Sequence, residues 1–511
     1  DDGAFQEQPG WDMSVSLTVD SGPPGTSPPA TPTGPPVTPT PPPATPTPPP
    51  GGEQYEVIAV FGSGQGAGNA FFDSRLDQYH PGGQPVLVQV IIVPRGTTVP
   101  ELLQELTMNP ERLREVLLSV LQPSMTRFGQ GRVVTQSRLG KSSHGLDPMT
   151  QAVIYATLPD GREFGQYFQA VSPESAQQAG RTSLLFSTHD PVRYRVNVGV
   201  AAVEDGTRVW LTPLDDGGVE LHPPVVVELD DGGSTQVNDI DAAWNLGGVP
   251  NVMVRAEVES GSAFPYGSIL DGRGAVQGTS DPTTVLPVTD GARQVVLLEM
   301  GRITGLNEFS GSASLYNHAG RTITVDVAFY ERGVPGVSDE TTITVPGRTV
   351  VSWNDAVGDL VGRTGVVGSL VLTSRGGVLG GNISAIGREF AIYTDGGAVT
   401  GTAGQLLPGL AEEDRLMPGE VFHFIGLRER QLPEGPERSH LGVLNLGDVA
   451  VEMTVASFAA DGTPEGSIQR AVRAGEQLRV NNVLSAVNPA QDGELKRIEV
   501  TADGPLYVPA Y

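Results

Sequence analysis

RVNVGVAAVEDG, residues 195–206, returns as RSHLGVLNLGDV at residues 438–449, an offset of 243. Each is a short apolar run broken by glycine and aspartate, the composition of a strand entering a turn. VNDI at Val237 and VNNV at Val480 share that offset, and AEV at Ala256 and IEV at Ile498 are offset by 242. A fixed spacing of this kind marks duplicated structural units. The intervening pieces match one another as well. QPVLVQVIIVPRG at Gln84 parallels RTITVDVAFYERG at Arg321, offset 237, and FGQYFQAV at Phe164 parallels AGQLLPGL at Ala403, offset 239. The expected fold class is therefore all-β, four tandem sandwiches in an alternating two-type series. Type one covers 53–171 and 291–410; type two covers 172–290 and 411–511. Glycine (66) and proline (43) punctuate short β-branched segments throughout, which favours sandwiches over α/β units.

Finer expectations follow from local pattern. In residues 99–121, VPELLQELTMNPERLREVLLSVL, Asn109 and Pro110 read as N-cap and first helical position. Leu113, Val116, Leu117, Val120 and Leu121 would form one apolar face, so a helical insertion is expected in the first unit. Val237-Asn238-Asp239, Trp353-Asn354-Asp355 and Val480-Asn481-Asn482 each end a strand. A short helical turn should follow, with the middle asparagine as its N-cap. Trp210 is expected to pack inside a strand.

Ahead of these units stands an isolated strand pattern on a tether. In WDMSVSLTVD, residues 11–20, Trp11, Met13, Val15, Leu17 and Val19 alternate with polar residues, as in a strand with one buried face. Residues 21–52 hold 15 prolines, 7 threonines and no charge or aromatic ring. Such a linker favours polyproline II, with a reach of roughly 100 Å at about 3.1 Å per residue. Its threonines Thr26, Thr31, Thr33, Thr38, Thr40, Thr45 and Thr47 suit O-glycosylation, as in mucin-like stalks. Residues 1–20 are thus expected to act as an assembly strand.

Composition narrows the function. The net charge of −27 argues against nucleic acid and anionic membranes as partners. No apolar run reaches the length of a spanning helix, so no membrane insertion is expected. The chain has no cysteine, which excludes disulfides, thiol nucleophiles and iron–sulfur clusters. Its lysines are Lys141 and Lys496 alone, so a robust assembly must be held largely without covalent cross-links. The first residue, Asp1, fits a processed secreted chain.

Motifs for chemistry are sparse. Gly62, Gly64 and Ala67 follow a strand, as in a dinucleotide loop, but FFDSRLDQYHPGG after them is too short and polar for the packing helix. His80, His144, His189, His222, His318, His423 and His440 form no i, i+4 pair, and no GxSxG elbow occurs. The acidic turns are the best metal candidates. Asp230, Asp231, Asp239 and Asp241 flank one short strand, and calcium is the cofactor they would suit. Asp-Gly is equally the ordinary hairpin signature. No catalytic residue is assigned.

YRVNVGVAAVEDG, the domain exits FGQYFQAV and AGQLLPGL, and SDPTTVLPV at Ser280 resemble the tandem immunoglobulin-like repeats of secreted bacterial surface proteins. The resemblance covers residues 53–511 and implies an immunoglobulin-like fold, a location outside the cell and a scaffold role. Past Tyr266 the second unit continues with GSILDGRGAVQGTSDPTTVLPV, while Tyr511 stands at an offset of 245 from Tyr266. On that offset the fourth unit is expected to lack part of its last strand and to accept one from elsewhere.

These features point to a non-enzymatic structural subunit of an extracellular filament or surface layer of a bacterium. It would polymerise with itself by adding the N-terminal strand to a neighbour. The alternatives are a monomeric adhesin or carbohydrate-binding stalk, and a non-catalytic scaffold within a larger secreted protein.

Overall fold

The computed structural model describes residues 53–65, 71–123, 125–137, 149–157, 163–271, 282–303, 308–375, 382–395, 398–432, 435–489 and 493–508. The strand pattern of residues 11–20 (Trp11, Met13, Val15, Leu17, Val19) and the seven linker threonines lie outside these residues. The described chain is all-β, built from several antiparallel sheets with four short helices.

Its first strands are β1 (Glu53–Gln65), β2 (Phe71–Tyr79), β3 (Val86–Pro94), β4 (Glu101–Met108), β5 (Leu113–Leu117), β6 (Arg127–Ser137), β7 (Met149–Thr157) and β8 (Glu163–Gln169). They lie in the order β4-β3-β6-β1-β2-β7-β8, with β5 also against β2. β1 pairs along most of its length with β6 and touches β2 only at Gly64 and Gln65, so it joins two facing layers. Between them lies a core that includes Ile58, Phe61, Phe72, Leu76, Val88 and Ile154.

The strands of 294–408 repeat this order. The registers show the duplication one residue at a time. Ile58 opposite Gly131 and Phe61 opposite Gly129 recur one repeat later as Leu297 opposite Leu370 and Met300 opposite Gly368, with a bulge at the same place. Val88 opposite Thr135 becomes Val325 opposite Ser374. A bulge bends its strand and is set by the local chain, so its recurrence reflects a shared backbone path.

Between and after these groups lie two more, also alike. In one, Val198 faces Val237; in the other, Leu441 faces Val480, which preserves the offset read from Arg195 to Arg438. Ala201 faces Phe264 and, at the same offset, Leu444 bridges Tyr507. This register corrects the offset of Tyr511 from Tyr266: the counterpart of Tyr266 is residue 509, not Tyr511, and lies outside the described residues. Each of the four groups encloses its own apolar core, the second around Val200, Leu211 and Val254 and the fourth around Val443, Val455 and Val500.

Residues 99–121 are not a helical insertion. They form β4, a turn, β5 and a single helical turn, α1 (Leu118–Leu121). Pairing decides this: β4 completes the edge beside β3, and β5 joins β2 from Leu113 opposite Tyr79 to Leu117 opposite Arg75. Glu111, at φ 59°, turns the chain between them. Helix propensity is worth tenths of a kcal/mol per residue and yields to such ladders.

The expected helical turns are α2 (Ile240–Ala243), α3 (Ala356–Val361) and α4 (Val483–Val487). Their N-caps are the third residues of the motifs, Asp239, Asp355 and Asn482, not the middle asparagines. Asp239 and Asp355 accept from Ala242 N and Gly358 N. Trp210 lies half-buried on the outer face of its strand rather than in the core. Its Nε1 donates to Glu259 at 2.8 Å and Arg208 sits 5.1 Å over its ring.

Gly62 and Gly64 of the dinucleotide-like pattern sit on a strand that pairs antiparallel with β2, and Ala67 lies outside the described residues. Gly62 and Gly64 belong to β1, and a Cβ on Gly62 would meet the Arg127 carbonyl oxygen at 2.5 Å. Close backbone approach explains this glycine. Gly62→Ala should therefore lower stability by about 1–3 kcal/mol in urea titration. Gly83→Ala, with nothing within 4 Å of the added carbon, should change it little.

Candidate functional site: the unit junctions

The four groups touch in a cycle. The first meets the second around Val57, Ala176 and Val203. The third meets the fourth around Val296, Leu298, Leu444 and Tyr507. These two junctions correspond: Val57 bridges Val171 just as Val296 bridges Leu410 one repeat later. The second meets the third where Leu184, Phe186, Leu214 and Met253 enclose Tyr316, Val350 and Ile386. The fourth then returns to the first, where Tyr79 and Leu113 pack with Ile425, Leu495 and Ala460.

This last contact closes a ring and repeats the one between second and third units. Tyr79 and Leu113 correspond to Tyr316 and Val350 at the offset read from Gln84 to Arg321. Leu495 corresponds to Met253 at the offset read from Ala256 to Ile498. In each junction the amide of the same β-strand residue reaches across. Val350 N donates to Asp216 O at 2.8 Å, and Leu113 N to Ala460 O at 2.9 Å. The four units thus have an approximate twofold relation, each half being one type-one and one type-two unit.

The two equivalent junctions differ in chemistry. The second-to-third junction joins buried groups to neutral partners: Thr188 Oγ1 donates to Ala313 O, Thr402 N to the buried Asp271 carboxylate at 2.7 Å, and buried Arg388 Nε to Thr283 Oγ1 at 3.0 Å. In the fourth-to-first junction opposite charges pair across the contact. Arg497, 1% exposed, bonds Glu111 at 2.7 Å and also pairs with Glu499. Its guanidinium lies 4.3 Å over Tyr79 and 3.9 Å over Phe458. Arg428 pairs with Glu115, and Gln151 Nε2 donates to Ile425 O at 2.9 Å and to the fully buried Asp77. Burial raises the Asp77 carboxyl above its usual range, with Arg75 opposing. Desolvating ion pairs costs several kcal/mol per charge, so such pairs fix geometry more than they add stability.

A second polar cluster lies in the third-to-fourth junction. Buried Glu299 accepts from Gln477 Nε2 (2.6 Å), Arg332 (2.8 Å) and Arg479 (3.3 Å). Its φ of 58° is a left-handed value, unusual for a glutamate, at the bulge of its strand. Beside it, burial and the Glu299 charge push the Glu389 carboxyl up to about 7. Burial, with Arg479, Arg438 and Arg332, holds His440 down to about 4. Among the described residues this cluster comes nearest to an acid–base arrangement, but the Glu299 oxygens are already bonded to side chains across the junction.

The acidic residues singled out for calcium are dispersed. Asp231 pairs with Arg132, Asp239 caps α2, Asp241 accepts from Gly248 N at 2.7 Å, and the Asp230 carbonyl accepts from Gly233 N. Among the described residues no three of His, Cys, Asp and Glu gather to hold a metal ion. No helix among them is long and apolar enough to cross a membrane. No protein-family model matches the chain, and no curated protein matches it.

Sequence reasoning missed the junction residues. The signal was present: the repeat that aligns Gln84 with Arg321, carried upstream, already sets Tyr79 against Tyr316.

Three outcomes follow. Arg497→Met takes the cation from the half-exposed Glu111 and the partly exposed Glu499 and removes the stacked guanidinium, and should cost about 1–3 kcal/mol in denaturant titration. Arg375→Met, at a solvent-screened pair with Asp326, should leave the denaturation midpoint nearly unchanged. Glu389 binds its proton more tightly folded than unfolded. Its contribution is complete below about pH 4.5, the ordinary glutamate value, and is lost as pH rises through about 7. Glu389→Gln should therefore gain on wild type as pH rises across that window, read as the difference in thermal midpoint.

Proposed function

We propose that the chain is a non-catalytic structural subunit of a bacterial extracellular filament or surface layer. In this reading the four units are immunoglobulin-like sandwich domains, 53–171, 172–290, 291–410 and 411–511. Residues 1–20 are an assembly strand on the 21–52 linker, and the linker threonines carry O-glycans.

The observation that supports this is the closed ring. All four junction faces are used within one chain, so a bond between copies calls for something outside the body. The N-terminal segment has the pattern for it: five alternating apolar residues on a tether of roughly 100 Å. Four units of about 34 Å in a closed ring make a body roughly 70–80 Å across, shorter than the tether. Outer sheet edges offer places for an added strand. Leu102 on β4 and Val226 on the Val225–Leu229 edge are exposed apolar side chains. The corresponding edges Asp339–Val345 and Pro464–Val472 carry charged and polar residues, a common guard against pairing. A closed ring also suits a stalk poorly, since a stalk gains reach from units in a row.

Burying the five apolar residues would contribute on the order of 1.5–3 kcal/mol each before ordering costs. Deleting residues 1–20, or changing Val15 and Leu17 together to Asp, should leave folded subunits that no longer polymerise in negative-stain images. Filaments like those of wild type from either variant would refute the strand role.

A further inference from the structure

The ring contains one interface twice, once between units that are consecutive in the chain and once between its two ends. The second-to-third copy is held by the short connection through Leu286 to Ala292, besides its contacts. The fourth-to-first copy has no such connection. Residues as far apart in sequence as Glu111 and Arg497 meet there through side-chain and main-chain contacts alone. An interface that forms without a local connection can accept its partner from the same chain or from another.

Its chemistry favours exchange over permanence. The connected copy buries Leu184, Phe186, Leu214, Met253, Tyr316, Val350 and Ile386. The unconnected copy buries fewer apolar side chains, Tyr79, Leu113, Ile425 and Leu495, and ion pairs cross it from Glu115 to Arg428 and from Glu111 to Arg497. Gln151 stands where the connected copy has Ile386, and it bonds the Ile425 carbonyl instead of packing. Partly buried pairs select their partner strongly while adding little net stability. Glycines also mark the contact as a close backbone fit: a Cβ on Gly462 would meet the Glu111 carbonyl oxygen at 2.8 Å, and one on Gly426 would clash with Asp77 and Gln151. The result is a face that recognises one surface specifically while burying fewer apolar side chains than its twin.

We propose that the fourth-to-first junction is an exchangeable docking surface whose alternative occupant is a second copy of this chain. When it opens, the fourth unit of one copy docks on the first unit of the next, through the contacts it makes in the closed ring. Two open chains can close on each other, and more can join head to tail. Closure within one chain wins in dilute solution, because the linked halves meet at an effective concentration in the millimolar range. The exchange needs no N-terminal strand and so stands apart from the strand-addition reading.

The Glu115–Arg428 pair gives a test by charge exchange. All chains carry Val15→Asp and Leu17→Asp, which removes strand addition from the readout. Glu115→Arg sets a new arginine against both Arg428 and Arg75 within a chain, and Arg428→Glu sets two glutamates against each other. When these variants are mixed, Arg at 115 of one faces Glu at 428 of the other, and the second junction between them is native. Light scattering should then show a one-to-one complex at twice the single-chain mass of 53.6 kDa. The variant carrying both changes restores the pair within one chain and should run as a monomer. A mixture that stays at the single-chain mass overturns the proposal. If either reversal unfolds the chain, judged by near-ultraviolet circular dichroism, the exposed positions Val449 and Val120 serve instead. Val449→Cys with a donor dye and Val120→Cys with an acceptor are mixed at about 1 M salt, where surface charges are screened within about 3 Å, then returned to low salt. Energy transfer between copies supports exchange, and its absence after this cycle overturns it.

Discussion

The packing of one tyrosine, at the end of the second strand of each type-one unit, organises the whole molecule. Tyr316 seats the third unit on the second, and Tyr79 seats the first on the fourth. Because both stand at the same place in a repeated unit, whatever geometry joins the second unit to the third also brings the fourth back to the first. Two such joints and two joints within the halves make a closed four-membered ring. The duplication and the closure are therefore one fact seen at two scales: a two-unit half that docks on its own copy.

Closure changes what the surface has to offer. In a row of sandwiches each end presents a free face. Here those faces are consumed, and among the described residues the remaining apolar features are sheet edges and scattered side chains such as Val99, Leu102 and Val120. Charge is placed with similar selectivity. Arg497, Lys496, Asp77 and Glu299 are buried in or beside junctions, and each has bonded partners there. Buried pairs of this sort discriminate among ways of docking, because a misplaced unit would leave a desolvated charge alone.

Much of the architecture was legible in the sequence because strand registers repeat between the halves. The offsets read from Gln84 and Phe164 are those of the ladders themselves. What could not be read was set by contacts distant in sequence. Leu113 to Leu117 has the apolar spacing of a helix, and only its pairing with Tyr79 to Arg75 makes it a strand. Cap identity slipped by one residue at all three motifs, and at Asp239 and Asp355 it is the aspartate after the asparagine whose side chain accepts from the helix N–H. The junction site escaped altogether. Nothing in the composition of Tyr79, Glu111, Arg428 and Arg497 distinguishes a ring from a row, since the closing partners lie far apart along the chain and carry no motif.

The closed ring is the claim on which the rest stands, and small-angle scattering from residues 53–511 tests it most directly. A unit of about 115 residues has a radius of gyration near 13 Å, roughly, and a diameter of about 34 Å. Four such bodies at the corners of a closed square give an overall radius of gyration of about 27 Å, the value expected at low concentration. The same four in an open row give about 40 Å, and a measurement near that value would contradict the ring.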